Sequence, residues 1–180
     1  TPERQAVRLP DGASLELGAS LGVPALTAHR CLFADGDIGG RNILVAGGAG
    51  AVGHFAIELA KYAGARVVAT VSGPMKEEIA RAAGADLVVN YRDSAAVDRI
   101  RTFAPRVDRV VEVNLAANFS LDLALSGAGT VIAAYAADGP DPELPVRACM
   151  TANVVLRFVL LYGVPAEALA QGVAEVTAAL

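Results

Sequence analysis

Short apolar runs recur along the chain, and stretches with a helical spacing of apolar residues separate them. The runs predicted to form strands cover residues 42–46, 66–71, 87–89, 107–113, 130–134 and 153–162. The stretches predicted to form helices cover residues 51–63, 74–84, 95–103, 119–125 and 165–180. The runs are apolar on both faces, as strands covered by helices must be. This alternation predicts an α/β fold with a doubly wound parallel sheet of about six strands.

Local signals mark the ends of several elements. Gly64 is predicted to end the helix 51–63, because glycine readily adopts the left-handed conformation that closes a helix. Ser94 is predicted to cap the start of the helix 95–103. The segment 138–145 carries three prolines and is predicted to be a loop.

A short helical lead-in precedes the first strand. Two short helices are predicted over residues 14–21 and 24–32, and a glycine-rich polar loop follows them. The chain starts at Thr1 in strand-like sequence, and its apolar fraction of 54% is high for a free-standing domain of this size. We therefore expect a piece of a larger protein, with linker helices and the remnant of another domain at 1–36 and the α/β domain at 37–180. Removal of an initiator Met is the alternative explanation for the first residue.

Composition excludes several classes of partner. The formal net charge is -4, and Lys and Arg do not cluster, so general nucleic-acid binding is not expected. No apolar run is long enough to span a membrane, and no signal segment opens the chain. Cys31 and Cys149 lie far from each other and from any metal-ligand pattern, which predicts no metal site. Both are expected to be small core residues of a cytoplasmic protein.

The most specific motif is the glycine loop Gly48-Ala49-Gly50-Ala51-Val52-Gly53, which follows a predicted strand and opens a predicted helix. Gly48 is expected to allow the tight turn, Gly50 the approach of a pyrophosphate, and Gly53 close packing of the helix. The free N–H groups at the start of the helix would face the phosphates. A glycine-rich turn without a ligand is the alternative. In this context the loop predicts a Rossmann-type dinucleotide site.

The end of the second strand indicates which dinucleotide binds. An NAD site places a carboxylate there for the ribose 2′-hydroxyl, but residues 70–73 are Thr-Val-Ser-Gly. Ser72, Lys76 and Tyr91, with Arg92 adjacent, are predicted to surround a 2′-phosphate instead. Taken singly, Lys76 could be a solvated helix residue and Tyr91 a packed edge aromatic. Together these residues favour NADPH.

Three segments carry a family resemblance: LPDGASLELGASLGVPALTAHRCLF, ILVAGGAGAVGHFAIELAKYAGARVVATVS and AGADLVVNYRD. They resemble the zinc-independent quinone oxidoreductases of the zeta-crystallin type, in the medium-chain dehydrogenase/reductase superfamily. The most specific pieces are Thr27-Ala28, the AGGAGAVG loop and Asn90-Tyr91-Arg92. The resemblance implies an NADP-binding Rossmann domain inserted into a GroES-like catalytic domain. It also implies hydride transfer from NADPH to a quinone or an activated alkene.

The resemblance further implies roles for individual residues. Ser72, Lys76 and Tyr91 would bind the 2′-phosphate, and Thr27 would touch the nicotinamide end. Backbone near Asn114, and near Ala134 and Tyr135, would line the adenosine and nicotinamide sides. A homodimer would form through the edge strand 154–161. Two departures from the family pattern are Glu112-Val113-Asn114-Leu115, in place of Asp-x-x-Gly, and Arg157 beside Phe158 within the edge strand.

No catalytic acid or base is apparent from the sequence, so the catalytic residues stay unknown. His29 and His54 are expected to be packing or surface residues. None of the four tyrosines begins a Tyr-x-x-x-Lys motif, which excludes a short-chain dehydrogenase. The alternatives are a non-catalytic NADPH-binding domain and the enoyl-reductase module of a polyketide synthase. An S-adenosylmethionine methyltransferase is disfavoured because Ser72 stands where its acid would lie.

Overall fold

The structure is a computed structural model that describes residues 6–137 and 139–180. Six strands form one sheet in the order β3-β2-β1-β4-β5-β6, and every neighbouring pair is parallel. The strands are β1 (Asn42–Ala46), β2 (Arg66–Val71), β3 (Leu87–Asn90), β4 (Val107–Glu112), β5 (Ser126–Ala134) and β6 (Val155–Phe158). The predicted doubly wound, Rossmann-type sheet is confirmed.

Helices cover both faces of the sheet. They are α1 (Leu15–Ser20), α2 (Leu26–Phe33), α3 (Ala51–Tyr62), α4 (Pro74–Ala82), α5 (Ala96–Phe103), α6 (Leu115–Leu125), α7 (Val146–Ala152) and α8 (Ala166–Ala178). One core lies between the sheet and α2, α3, α4 and α8, and a second lies between the sheet and α5, α6 and α7. In the described residues, no helix has the length and apolar character needed to cross a membrane.

The helical lead-in is part of the first core. A π-helical turn over Leu21–Ala25 joins α1 to α2, and Pro24 lies inside it. A widened turn accommodates proline, which has no N–H to donate. On α2, Ala28, Cys31 and Leu32 are fully buried, and so is Ala25 in the turn before it. The predicted lead-in helices are confirmed, and residues 1–5 of the expected remnant lie outside the described residues.

Two helix starts differ from the prediction. Helix α6 begins at Leu115, before the predicted start at 119, because Asn114 Oδ1 caps it by accepting from the Ala117 N–H at 3.1 Å. The predicted cap by Ser94 is wrong. Asp93 Oδ1 accepts from the Ala95 N–H at 2.9 Å and closes the turn before α5 instead. Gly64, at φ +78°, ends α3 as predicted.

The second half of the sheet differs most from the prediction. Strand β5 begins at Ser126 rather than 130. Its register against β4 shifts between Val107 and Arg109, and Thr130 Oγ1 donates to the Val107 carbonyl at 2.6 Å. Helix α7 was not predicted, and it ends at Asn153, whose φ of 48° is left-handed. Strand β6 is therefore shorter than the predicted 153–162. Of the predicted loop 138–145, residue 138 lies outside the described residues, and the others form neither helix nor strand.

Candidate functional site

A cavity of about 330 Å³ opens at the carboxyl ends of β1, β2 and β4. In this sheet order, the connections from β1 and β4 leave in opposite directions, and ligands of doubly wound sheets bind in such a crevice. The lining residues come from the glycine loop, the ends of four strands and the first turns of α4 and α6. They are Gly47, Ala49, Gly50, Thr70, Val71, Ser72, Lys76, Tyr91, Val113, Asn114, Ala117, Asn118 and Tyr135.

The glycines of the loop have distinct roles. Gly47 has a left-handed φ of +69° and begins the tight turn, which contains Gly48 and which the Gly50 N–H closes by donating to the Gly47 carbonyl at 2.9 Å. A Cβ on Gly48 would lie 2.7 Å from Ala69 Cβ, and one on Gly53 would lie 2.3 Å from the Gly47 carbonyl oxygen. Both glycines therefore allow close packing of α3 and the loop onto the sheet. Gly50 is exposed at the rim, and a Cβ there would meet only the Gly47 oxygen, at 3.3 Å.

Ser72, Lys76 and Tyr91 lie on one wall of the cavity, as their predicted common role requires. Ser72 follows β2, Lys76 lies in the first turn of α4, and Tyr91 follows β3. Lys76 is the one charged residue among those lining the cavity. Arg92 is not among them, and its guanidinium lies 5.6 Å from the centre of the Tyr91 ring. This wall therefore offers two hydroxyl groups and one cation, with no carboxylate.

The remaining predicted site residues divide into two groups. Asn114 and Tyr135 line the cavity together with Ala49 and Gly50. The others are not among the lining residues: Thr27, Gly48, Ala51, Val52, Gly53 and Ala134. Thr27 is buried on α2, and Ala134 is buried at the end of β5. The structure thus brings the phosphate-binding candidates together, whereas Thr27 is not among the residues that line the cavity.

Several lining residues were missed by the sequence prediction. Gly47 could have been found, because it directly precedes the motif and makes a Gly-Gly pair at the strand end. Asn118 lies one helical turn after Asn114 and hence on the same face of α6. Asn118 lines the cavity because α6 begins at Leu115, and the predicted helix start at 119 placed Asn118 outside the helix. Thr70, Val71, Val113 and Ala117 also line the cavity.

Two fully buried carboxyl groups, Glu112 at the end of β4 and Asp122 on α6, lie behind the cavity wall. Glu112 Oε1 accepts from the Asn114 N–H and from Asn118 Nδ2, the latter at 2.8 Å. Burial raises the pKa of Glu112 despite these hydrogen bonds. Burial, and then the Glu112 charge, raise the pKa of Asp122 well above its usual range. Burial also raises the pKa of the Tyr135 hydroxyl.

The histidines and cysteines have structural environments. His29 Nε2 lies 2.6 Å from Glu175 Oε2 and links α2 to α8, while His54 Nε2 lies 3.3 Å from Glu58 on the surface of α3. Cys31 is a core residue as predicted, and burial raises its pKa to about 12, whereas Cys149 is only half-buried. Within residues 6–137 and 139–180, no three His, Cys, Asp or Glu side chains form a group that could hold a metal ion.

Comparisons with known proteins agree with this geometry. The family model described as zinc-binding dehydrogenase matches residues 51–178. Human quinone oxidoreductase is 31% identical over 129 residues, which cover 69% of this chain and 39% of that protein. Trans-enoyl reductase thnE of Trichoderma harzianum is 38% identical over 110 residues, covering 54% of this chain and 30% of that protein. Mycobacterial Rv1454c, solved in complex with NADPH, has a TM-score of 0.89 at 28% identity.

The match to Rv1454c covers 99% of this chain and 58% of that one. Among these three relatives, the matched part therefore covers between 30% and 58% of the relative's own length. The predicted resemblance to the nucleotide-binding domain of medium-chain quinone oxidoreductases is confirmed.

Proposed function

Because the chain belongs to the zinc-binding dehydrogenase family, we propose that the cavity beside its glycine loop binds NADPH. The intact protein would then transfer a hydride from NADPH to a quinone or an activated alkene. When bound, the cofactor would supply the hydride. This chain would bind the cofactor, orient it and shield it from water.

One observation carries the proposal. The cavity combines a glycine loop that leaves space at Gly50 with a wall on which Lys76 is the one charged lining residue. A pyrophosphate needs close contact with the backbone, and the 2′-phosphate needs a cation with no carboxylate beside it. Ser72 and Tyr91 add hydroxyl groups on the same wall. NADH has no 2′-phosphate, so this wall favours NADPH.

The substrate class follows from relatives of the whole protein. Quinone reduction is supported by the human quinone oxidoreductase match. Enoyl reduction is a second candidate, supported by the 38% identity with trans-enoyl reductase thnE. Both are reductions of an activated double bond by a nicotinamide cofactor. Residues 1–36 would then contain linker helices and part of a catalytic domain, and residues 37–180 the NADP-binding domain.

We also propose zinc-independent chemistry, a cytoplasmic location and a homodimer. Zinc-independent chemistry is supported by the resemblance of the glycine-loop and Asn90-Tyr91-Arg92 segments to zinc-independent enzymes. A cytoplasmic location is supported by the two free thiols. The homodimer would pair the outer edge of β6 with a second copy. Phe158 and Leu160 at that edge are 72% and 70% exposed, and a partner strand would cover this apolar edge.

Cofactor preference tests the proposal. Lys76→Ala should weaken NADPH binding about tenfold or more, since it removes a charge-assisted contact, and leave NADH binding nearly unchanged. Titration calorimetry with both cofactors measures the two affinities. Arg81→Ala is the matched control, because it removes a cation from the same helix outside the cavity.

Gly50→Val is the control for the pyrophosphate. It should abolish binding of both cofactors because the added side chain would occupy the position proposed for the pyrophosphate. The protein should stay folded, because a Cβ on Gly50 would have only the Gly47 oxygen near it. Equal losses of NADPH and NADH in Lys76→Ala, or unchanged binding in Gly50→Val, would contradict the proposed site.

A further inference from the structure

Glu112 joins the Asn114–Asn118 wall of the cavity to the sheet. Its Oε1 accepts from the Asn114 N–H and from Asn118 Nδ2, and both asparagines line the cavity. Asn114 also caps α6, so the same contact fixes where that helix begins. Any movement of the Glu112 carboxylate would therefore move one side of the proposed cofactor site.

The environment of Glu112 requires a proton. Three buried oxygens have no hydrogen-bond partner: Glu112 Oε2 and both oxygens of Asp122. Among the described residues, none of the ion pairs involves either carboxyl group. A hydrogen on Asp122, donated to Glu112 Oε2, would satisfy two of the three oxygens and remove the repulsion between two buried anions.

Asp122 is the member of the pair that carries this hydrogen. Glu112 Oε1 already accepts two hydrogen bonds, which favour the anionic form of Glu112. The Asp122 side chain accepts none, and it is fully buried. The environment therefore favours a neutral Asp122 beside an anionic Glu112.

We propose that Glu112 is a positioning residue of the cofactor site, held by a hydrogen bond from protonated Asp122, and that the Asn114–Asn118 wall loosens when the pair loses its proton. The proposal rests on the proposed function, because it takes the cavity to be the nicotinamide-cofactor site. Loss of the shared proton leaves two adjacent buried anions, which move apart or admit water. Cofactor affinity then falls as the pH rises.

Other titratable groups near the pair do not produce this effect. Two such groups are the hydroxyl of Tyr135, whose N–H donates to the Glu112 carbonyl at 3.1 Å, and the buried thiol of Cys31 on α2. Burial raises the pKa of both groups, that of Cys31 to about 12, so neither ionises near neutral pH. From α5, Arg101 reaches α6 at the Ala124 carbonyl, at 2.8 Å. Beside Glu112, β1 presents only apolar residues, and α7 contributes Cys149 to the second core.

The test measures the affinity of the chain for NADPH and NADH by calorimetry, at about pH 6.5 and about pH 9. In the wild type, both affinities should fall at least about fivefold over this range. Asp122→Asn should bind as the wild type does at the lower pH and show no such fall, because the amide donates to Glu112 and does not ionise. NADH lacks the 2′-phosphate, so a shared fall does not come from that phosphate or from Lys76.

Glu112→Leu removes the acceptor and should weaken both cofactors at both pH values, with circular dichroism to verify folding. If that variant does not fold, carbon-13 NMR of the Asp122 carboxyl decides. A carboxyl that stays protonated at about pH 7 and titrates together with the Asn118 side-chain amide supports the inference. Identical pH profiles of wild type and Asp122→Asn, or an ionised Asp122 at that pH, would overturn it. Failure of the wild type to bind either cofactor contradicts the proposed function instead, and the NMR result still decides the pairing.

Discussion

Strand β4 carries two buried charged side chains on opposite faces of the sheet, and the protein stabilises them in different ways. Arg109 faces α2, where its guanidinium donates to the Cys31 carbonyl at 2.7 Å and to Asp35 Oδ2 at 2.8 Å. Glu112 faces α6, where its nearest charged neighbour is another acid, Asp122. The first face uses an ion pair, and the second uses a shared proton.

The acids on the two faces have net pKa shifts in opposite directions, although burial raises the pKa on both faces. Burial alone would raise the pKa of Asp35, but hydrogen bonds from Arg157 and Arg109 outweigh it and lower the pKa. For Glu112 and Asp122 burial dominates, and both pKa values are raised. Stability from Asp35 is therefore lost as the pH falls through its folded pKa. Stability from the acid pair is present at low pH and lost as the pH rises through its folded pKa.

Removal of Asp35 should have the largest effect on stability. Asp35→Ala leaves Arg109, which is 3% exposed, without a counter-ion, and we expect a loss of about 3 kcal/mol in the free energy of unfolding. Denaturant titration at neutral pH measures the loss. Asp141→Ala is the control, because Asp141 is exposed and has no side-chain hydrogen bond in the described part of the chain. Similar losses in the two variants would show that Arg109 does not depend on Asp35.

Much of the fold was predictable because its signals are local. The first four strands were predicted to within a residue or so, since each is a short apolar run ending at a glycine, a cap or a polar turn. The glycine loop was located correctly for the same reason. The start of strand β5 and the whole of helix α7 were not predicted, because they depend on a register shift against β4 and on the left-handed residue Asn153.

The site was predictable only in part. Ser72, Lys76 and Tyr91 follow strands whose ends meet at one sheet edge, so their common wall could be inferred from topology. Contacts between distant segments had no local signal. Asp35 and Arg109 are 74 positions apart, and nothing in either segment predicts their pairing. The contact of Asn118 with Glu112 likewise depends on the early start of α6.

The acid pair should give an opposite pH response, of intermediate size. Below the pH at which Asp ionises in the unfolded chain, about 3.9, Asp122→Asn and the wild type should have similar free energies of unfolding, since the amide and the protonated acid both donate to Glu112. As the pH rises, the wild type should lose stability relative to the variant, by about 1.4 kcal/mol for each unit by which folding raises the pKa of the pair. Denaturant titrations across this range measure the difference, with Asp141→Asn as the exposed control. Parallel curves would show that the pair does not share a proton.

The smallest effect should come from Arg157, the more exposed of the two arginines that contact Asp35. Its side chain is 31% exposed, and Asp35 keeps Arg109 when Arg157 is lost. Arg157→Met retains most of the unbranched stem, so we expect a loss of only about 0.5–1 kcal/mol, as for a solvent-exposed ion pair. The pKa of Asp35 should also rise towards its usual value, because Arg157 contributes the larger of the two hydrogen-bond effects that lower it. Carbon-13 NMR of the Asp35 carboxyl measures that pKa. A loss as large as that of Asp35→Ala would mean that most of the stabilisation from Asp35 comes from its contact with Arg157 and not from the buried Arg109. Strand β6 would then depend on Asp35 for its position at the sheet edge.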